Sequence, residues 1–191
     1  MGSVRSWWTC GQKARRRVCR IDGVGDGWGV VITTFMWERF SLVGFGFRIL
    51  GALRSLIVEL GRRDDPVVRD RYADIHARAE ALRFIGMRFL TAIARHRMPG
   101  PEGSTVKLLA TDLIEDACGM AVELFQAAGM LGSGRAPWDG EWHAGFLGAP
   151  RLRIGGGTDA VQRNIIGERV LCLPGDIRVD QDVPFSAVPR S

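Results

Sequence analysis

Apolar positions recur along most of this chain at three- and four-residue steps, the spacing of amphipathic helices. The first such run extends from about Trp28 to Leu60, with Val31, Phe35, Leu42, Phe45, Ile49, Leu53, Leu56, Ile57 and Leu60 on one stripe. Gly61 follows as a C-terminal stop. Gly44, Gly46 and Gly51 lower helix propensity inside the run, and close packing against a second helix would account for them. A second helix opens with Asp65 as N-cap and Pro66 as first residue, where a missing N–H costs nothing. Its face is Val68, Tyr72, Ile75, Ala79, Leu82, Ile85, Phe89 and Ile93; it reaches Arg97 and is broken by Met98-Pro99-Gly100-Pro101. Such a helix spans about 45 Å at 1.5 Å per residue. A third runs from about Ser104 to Met130 on Val106, Leu109, Leu113, Ala117, Met120, Leu124 and Ala128. A loop with Gly132, Gly134, Pro137 and Gly140 leads to a short helix, Glu141 to Leu152. Gly155, Gly156 and Gly157 make a flexible break, after which Thr158 or Asp159 caps a last helix ending near Leu171. No strand and no repeat is predicted. Long helices on short connections imply antiparallel neighbours, so the expected fold is all-α, an up-and-down four-helix bundle. Its expected limits are 27–174, between an irregular basic tail at 1–26 and an extended C-terminal tail at 175–191.

Composition fits a globular chain: 191 residues, 46% hydrophobic and 25% charged. The net charge of +5 is unevenly placed. Residues 1–20 carry six basic side chains and no acidic one, and the other 171 residues carry 20 basic and 21 acidic. Nucleic-acid binding could therefore rest only on the tail, through nonspecific salt-sensitive contacts, and no nucleic-acid partner is expected. Arginine outnumbers lysine by 24 to 2, which reads first as coding bias. Cys10, Cys19, Cys118 and Cys172 include no CxxC pair, and His76, His96 and His143 lie far apart, so no metal site is expected. The glycine run at 23–27 lacks both a preceding strand and GxGxxG spacing. No signal peptide is visible. The most apolar stretch, Phe40 to Leu60, is interrupted by Arg48, Arg54 and Glu59, so no membrane span is expected and the default compartment is the cytoplasm.

One segment is more specific. The run from Ile154 through Gly155-Gly156-Gly157-Thr158, Gln162 and Arg163 to Pro174 closely resembles the C-terminal signature of the acyl-CoA dehydrogenase family. Upstream matches follow in order: Gly25 to Trp28, Trp37-Glu38-Arg39, Asp64 to Arg69, Val106 to Leu109, and Gln126 with Gly129. The resemblance covers about residues 24–174 and is greatest to the actinobacterial-type branch. It implies the family's C-terminal four-helix domain, which pairs with copies of itself and forms one wall of a flavin and acyl-CoA site. The family's helical N-terminal domain and small β domain are missing ahead of it. The chain therefore reads as truncated, split or out of frame.

The resemblance implies α,β-dehydrogenation of an acyl-CoA thioester, with FAD as cofactor, in lipid metabolism and fatty acid β-oxidation. A carboxylate takes the α-proton while the β-hydrogen leaves as hydride. Such a base needs a dry pocket that raises its pKa. Many members carry that glutamate just before the Gly-Thr of the motif, where this chain has Gly156. Another branch takes it from a Glu-Arg pair on the early helix, and Glu38-Arg39 matches that pattern. Glu38 is the candidate catalytic base; without the resemblance it would read as a solvated helix carboxylate. Gly157, Thr158, Gln162, Gln126 and Gly129 match cofactor-binding positions, with Gln126 serving the flavin of a neighbouring subunit. Read without the family, Thr158 is a helix cap and the glutamines are surface residues. The family's Arg-xx-Phe-Gly flavin clamp is not evident around 59–66. Implied partners are the acyl-CoA substrate, a homo-oligomer or a hetero-oligomer with another acyl-CoA dehydrogenase subunit, and an electron-transfer flavoprotein or other acceptor. The competing expectation is a non-catalytic helical partner or remnant that oligomerises without binding flavin alone.

Overall fold

A computed structural model describes residue 23 and residues 27–97, 100–132, 134–175, 177 and 183–188. The basic cluster and the tryptophan pair of the first 20 residues lie outside these, as do the side chains of Arg39 and Phe45. The described residues form α1 (Gly27–Glu59), α2 (Pro66–Ala94), α3 (Gly103–Leu124), α4 (Glu141–Ile154) and α5 (Asp159–Ile165), with no strand among them. The chain divides into two compact units, residues 1–34 and 35–191. The first two turns of α1 belong to the former.

Local chemistry sets the α1–α2 corner. Gly61 takes φ +64°, which glycine adopts without strain. Its N–H then donates to Val58 O and that of Arg62 to Ile57 O, both at 3.0 Å, closing the last turn of α1. Four residues on, Asp65 Oδ1 accepts from Val67 N (2.9 Å) and Val68 N (3.3 Å), and Pro66 opens α2. The other end of α2 falls short of the expected Arg97. His96 turns left-handed at φ +55° and ends the helix without a glycine. Gln126, at φ +54°, does the same after α3, and Gln126–Met130 continue as a 3₁₀ turn rather than as α-helix. The last helix is α-helical only to Ile165 and widens into a π turn over Ile166–Val170.

α3 is the central element, in contact with α2, α4 and α5. The main core joins Leu53 and Leu56 of α1, Ile75 and Ala79 of α2, Leu113, Ala117 and Met120 of α3, and Trp142 and Ala149 of α4. A second cluster joins Leu82 and Phe89 to Val106 and Ala110, with Val43 packed against it. Glycine permits the approach of α1 to α2 at two points. A Cβ on Gly46 would stand 2.9 Å from Leu82 Cδ2, and one on Gly86 would stand 2.5 Å from Val43 Cγ1. Gly44 and Gly51, expected to serve the same end, face open space. Ser41–Glu59 is long and apolar enough to cross a membrane by length and composition. Its Ile49, Leu50, Leu53, Leu56 and Ile57 are buried in the bundle core, while Arg48 and Arg54 are exposed.

Candidate functional site

The connection between α4 and α5 supplies the site. Gly155 ends α4, and Gly156 and Gly157 follow at φ +66° and +103°, in the region that favours glycine. Thr158 then caps α5, its Oγ1 accepting from Val161 N at 3.4 Å. α1 brings Glu38 to this turn. A Cβ at position 156 would lie 3.1 Å from Glu38 Oε2, and one at position 155 would lie 3.4 Å from Oε1. The Glu38 carboxylate thus stands in tight contact with the place where a side chain at position 156 would begin. Glu38 and Thr158 are exposed on the isolated chain.

Beneath the turn lies an ionic network built on one buried cation. Lys107 of α3 is 1% exposed. Its Nζ donates to Arg153 O (2.9 Å), near the end of α4, and to Asp159 Oδ1 (3.1 Å), the first residue of α5. One ammonium therefore grips both sides of the Gly155–Thr158 turn. Arg153 donates to Asp159 Oδ2 and to Glu115 Oε2, each at 2.6 Å, and pairs with Asp112 at 2.8 Å. Burial alone would push the Asp159 carboxyl up. The hydrogen bonds from Arg153 and Lys107 outweigh it and hold that carboxyl below the usual carboxylate range. The Arg153 guanidinium is held above its ordinary value, foremost by Asp159 and then by Glu115.

Gln162 completes the underside. It is fully buried, and its Nε2 donates to Gly156 O (3.0 Å) and Gly157 O (3.3 Å). Its Oε1 is buried without a hydrogen-bond partner among the described residues. A Cβ on Gly157 would meet Gln162 Nε2 at 2.6 Å, so this glycine lets the amide close under the turn.

Glu38, Gly157, Thr158 and Gln162 therefore come together, while Gln126 and Gly129 do not join them. Those two follow α3, whose axis carries the chain about 25 Å from Lys107 to Leu124 at 1.5 Å per residue. There Gln126 is exposed beside Arg62, Arg71 and Glu123. Gly129 is buried against the Val122 carbonyl, an approach that a Cβ would block.

Sequence reasoning passed over Lys107, Arg153 and Asp159 as a group. A signal was present: Lys107 is one of two lysines among 24 arginines, and it follows Val106 inside an apolar stripe. A compact ammonium fits a closed space that a planar guanidinium does not.

Residues 25–171 match the family described as acyl-CoA dehydrogenase, C-terminal domain. The chain is 33% identical to acyl-CoA dehydrogenase IpdE1 of Mycobacterium tuberculosis over 172 residues, covering 83% of this chain and 41% of that protein. The steroid acyl-CoA dehydrogenase Tcur3481-Tcur3483 superposes with a TM-score of 0.69 at 22% identity, over 78% of this chain and 40% of that one. The ChsE4-ChsE5 complex from Mycobacterium tuberculosis gives 0.59 at 28% identity, over 67% and 36%. The chain thus spans about two fifths of the length of the relatives it matches. A helical fold, a motif ordered around Gly155–Thr158 and a family match over most of its length agree, and the chain belongs to the acyl-CoA dehydrogenase family, as its C-terminal helical domain.

Proposed function

We propose that this chain contributes the C-terminal part of an FAD-dependent acyl-CoA dehydrogenase and that Glu38 is its catalytic base. The supporting observation is the seat of the Glu38 carboxylate against Gly155 and Gly156, 3.1 Å from where a Cβ at 156 would stand. In this reading Glu38 takes the α-proton of an acyl-CoA thioester. FAD, when bound, supplies the acceptor for the hydride that leaves the β-carbon. The residues present fit one edge of a flavin: Thr158 offers an exposed hydroxyl at a helix start, and Gly157 has no side chain to obstruct approach. Gln162 acts from below by fixing the Gly156 and Gly157 carbonyls. Gln126, about 25 Å away along α3, reaches a flavin held by a neighbouring subunit. Because Glu38 is exposed here, exclusion of water from it falls to the bound acyl chain and to polypeptide outside this chain. We place the chain in the cytoplasm, in an assembly with itself or with another acyl-CoA dehydrogenase subunit, passing electrons to an electron-transfer flavoprotein or a similar acceptor.

The test is flavin absorbance of the purified chain, alone and mixed with a complete acyl-CoA dehydrogenase subunit, followed by addition of an acyl-CoA. Bleaching in wild type and its loss in Glu38→Gln is expected. Equal bleaching in both removes Glu38 as base. The exposure of the Glu38 carboxylate on the isolated chain favours one further reading, a non-catalytic partner subunit. That reading requires a colourless chain that still associates on size-exclusion chromatography.

A further inference from the structure

The turn that carries Gly157 and Thr158 is made of residues that do not hold themselves in place. Gly155, Gly156 and Gly157 are consecutive, two of them in left-handed backbone. Glycine loses more conformational freedom on ordering than any other residue, so such a turn needs outside fixation. Two ties are made within its own flanks. Arg153 pairs with Asp159 across its base, and Gln162 Nε2 holds the Gly156 and Gly157 carbonyls. Neither sets the turn against the rest of the bundle.

That task falls to α3. Arg153 pairs with Asp112 and Glu115 on this helix, but the three side chains are 34%, 43% and 37% exposed, and solvent screens such pairs. Lys107 differs. Its side chain is 1% exposed, and its Nζ donates to Arg153 O before the turn and to Asp159 Oδ1 after it. Among the described residues it is the one buried polar side chain that ties both flanks of the turn to α3.

We propose that Lys107 is a positioning residue, its ammonium seating the Gly155–Thr158 turn on α3 so that Gly157 and Thr158 meet a flavin edge beside Glu38. The assignment rests on the reading of that turn as one edge of a flavin site. Lys107 is closed off from solvent and touches neither cofactor nor substrate; it acts through Arg153 O and the Asp159 carboxylate. A misplacement of about 1 Å at a site can cost on the order of a hundredfold in its function, so loss of this seat should be measurable at the flavin.

The first measurement needs no flavin: nitrogen-15 relaxation of the full chain, wild type and Lys107→Met. Order parameters of the Gly155–Thr158 amides should fall from the roughly 0.85 of rigid backbone to below about 0.6, with those of α3 unchanged. The second is FAD titration of the chain mixed with a complete acyl-CoA dehydrogenase subunit, counting uptake beyond that of the subunit alone. Lys107→Met should weaken this uptake at least tenfold. Asp159→Asn separates positioning from stability, because it leaves an amide oxygen for Lys107 to donate to. It should weaken FAD binding less than Lys107→Met even where urea unfolding shows it to be the less stable of the two. Unchanged order in the turn of Lys107→Met overturns the proposal, and so do FAD losses that simply follow unfolding stability. A wild-type mixture that takes up no additional FAD removes the flavin reading of the turn, and the order parameters alone then decide whether Lys107 seats it.

Discussion

Replacing Lys107 with methionine removes a buried ammonium while nearly keeping its volume. Two hydrogen bonds are lost, to Arg153 O and to Asp159 Oδ1. Asp159 is not abandoned, because Arg153 still donates to Oδ2 and the carboxylate side chain is 16% exposed. Removing the ammonium also removes its own desolvation cost, so the net cost of the two lost hydrogen bonds is about 1.5–3 kcal/mol. The reciprocal substitution, Asp159→Asn, differs in kind. It leaves Lys107, 1% exposed, with a carbonyl and no countercharge. Breaking a buried pair from that side costs about 3–5 kcal/mol. Asp159→Asn should therefore destabilise more than Lys107→Met. The double variant should cost less than the sum, by about 1–3 kcal/mol of coupling. Urea unfolding followed by far-ultraviolet circular dichroism measures all three. The pH dependence has a fixed sign. The folded-state pKa of Asp159 lies below its unfolded value, so its contribution is complete above about pH 4 and is lost as pH falls through the lowered value. Asp159→Asn should flatten that acid limb. An Asp159→Asn cost no greater than that of Lys107→Met, or an unchanged acid limb, refutes the clamp.

Gly86→Ala places a Cβ 2.5 Å from Val43 Cγ1 and should cost about 1–3 kcal/mol by overpacking; Val43→Ala on the same background should recover part of it, and thermal unfolding that shows no recovery counts against the α1–α2 contact. Burial pushes the Cys118 thiol up to about 11, whereas Cys172 is exposed. Alkylation of the folded chain near neutral pH should therefore mark Cys172 and spare Cys118 in a peptide map, and equal labelling of the two contradicts the buried placement.

The features legible in the sequence are those whose chemistry is local. Asp65-Pro66 and Gly61 mark the α1–α2 corner because a cap and a left-handed turn are chosen by the residues that form them. The ends of α2 and α3 are set by His96 and Gln126 in left-handed backbone, which neither residue type announces. The last helix ends at Val170, close to the expected Leu171, but it changes from α to π winding at Ile166, which the apolar spacing does not announce. The ionic clamp was hidden by distance, since Lys107 is 52 residues from Asp159 and 46 from Arg153. Periodicity reports which face of a helix is buried. It does not say that a cation on that face will meet the two ends of a distant turn.

The Glu38–Gly156 relation shows why two sequence observations belong together. Position 156 holds φ +66°, which a side-chain-bearing residue adopts only with strain. The space its Cβ would enter is bordered by Glu38 Oε2 at 3.1 Å and Cδ at 3.3 Å. A glutamate at 156 would start from that same space, and two carboxylates sharing it would repel one another. Glycine at 156 is therefore the residue that lets Glu38 sit against the turn. The glycine at 156 and the carboxylate on α1 are two halves of one arrangement: Glu38 packs against the turn where position 156 carries no side chain.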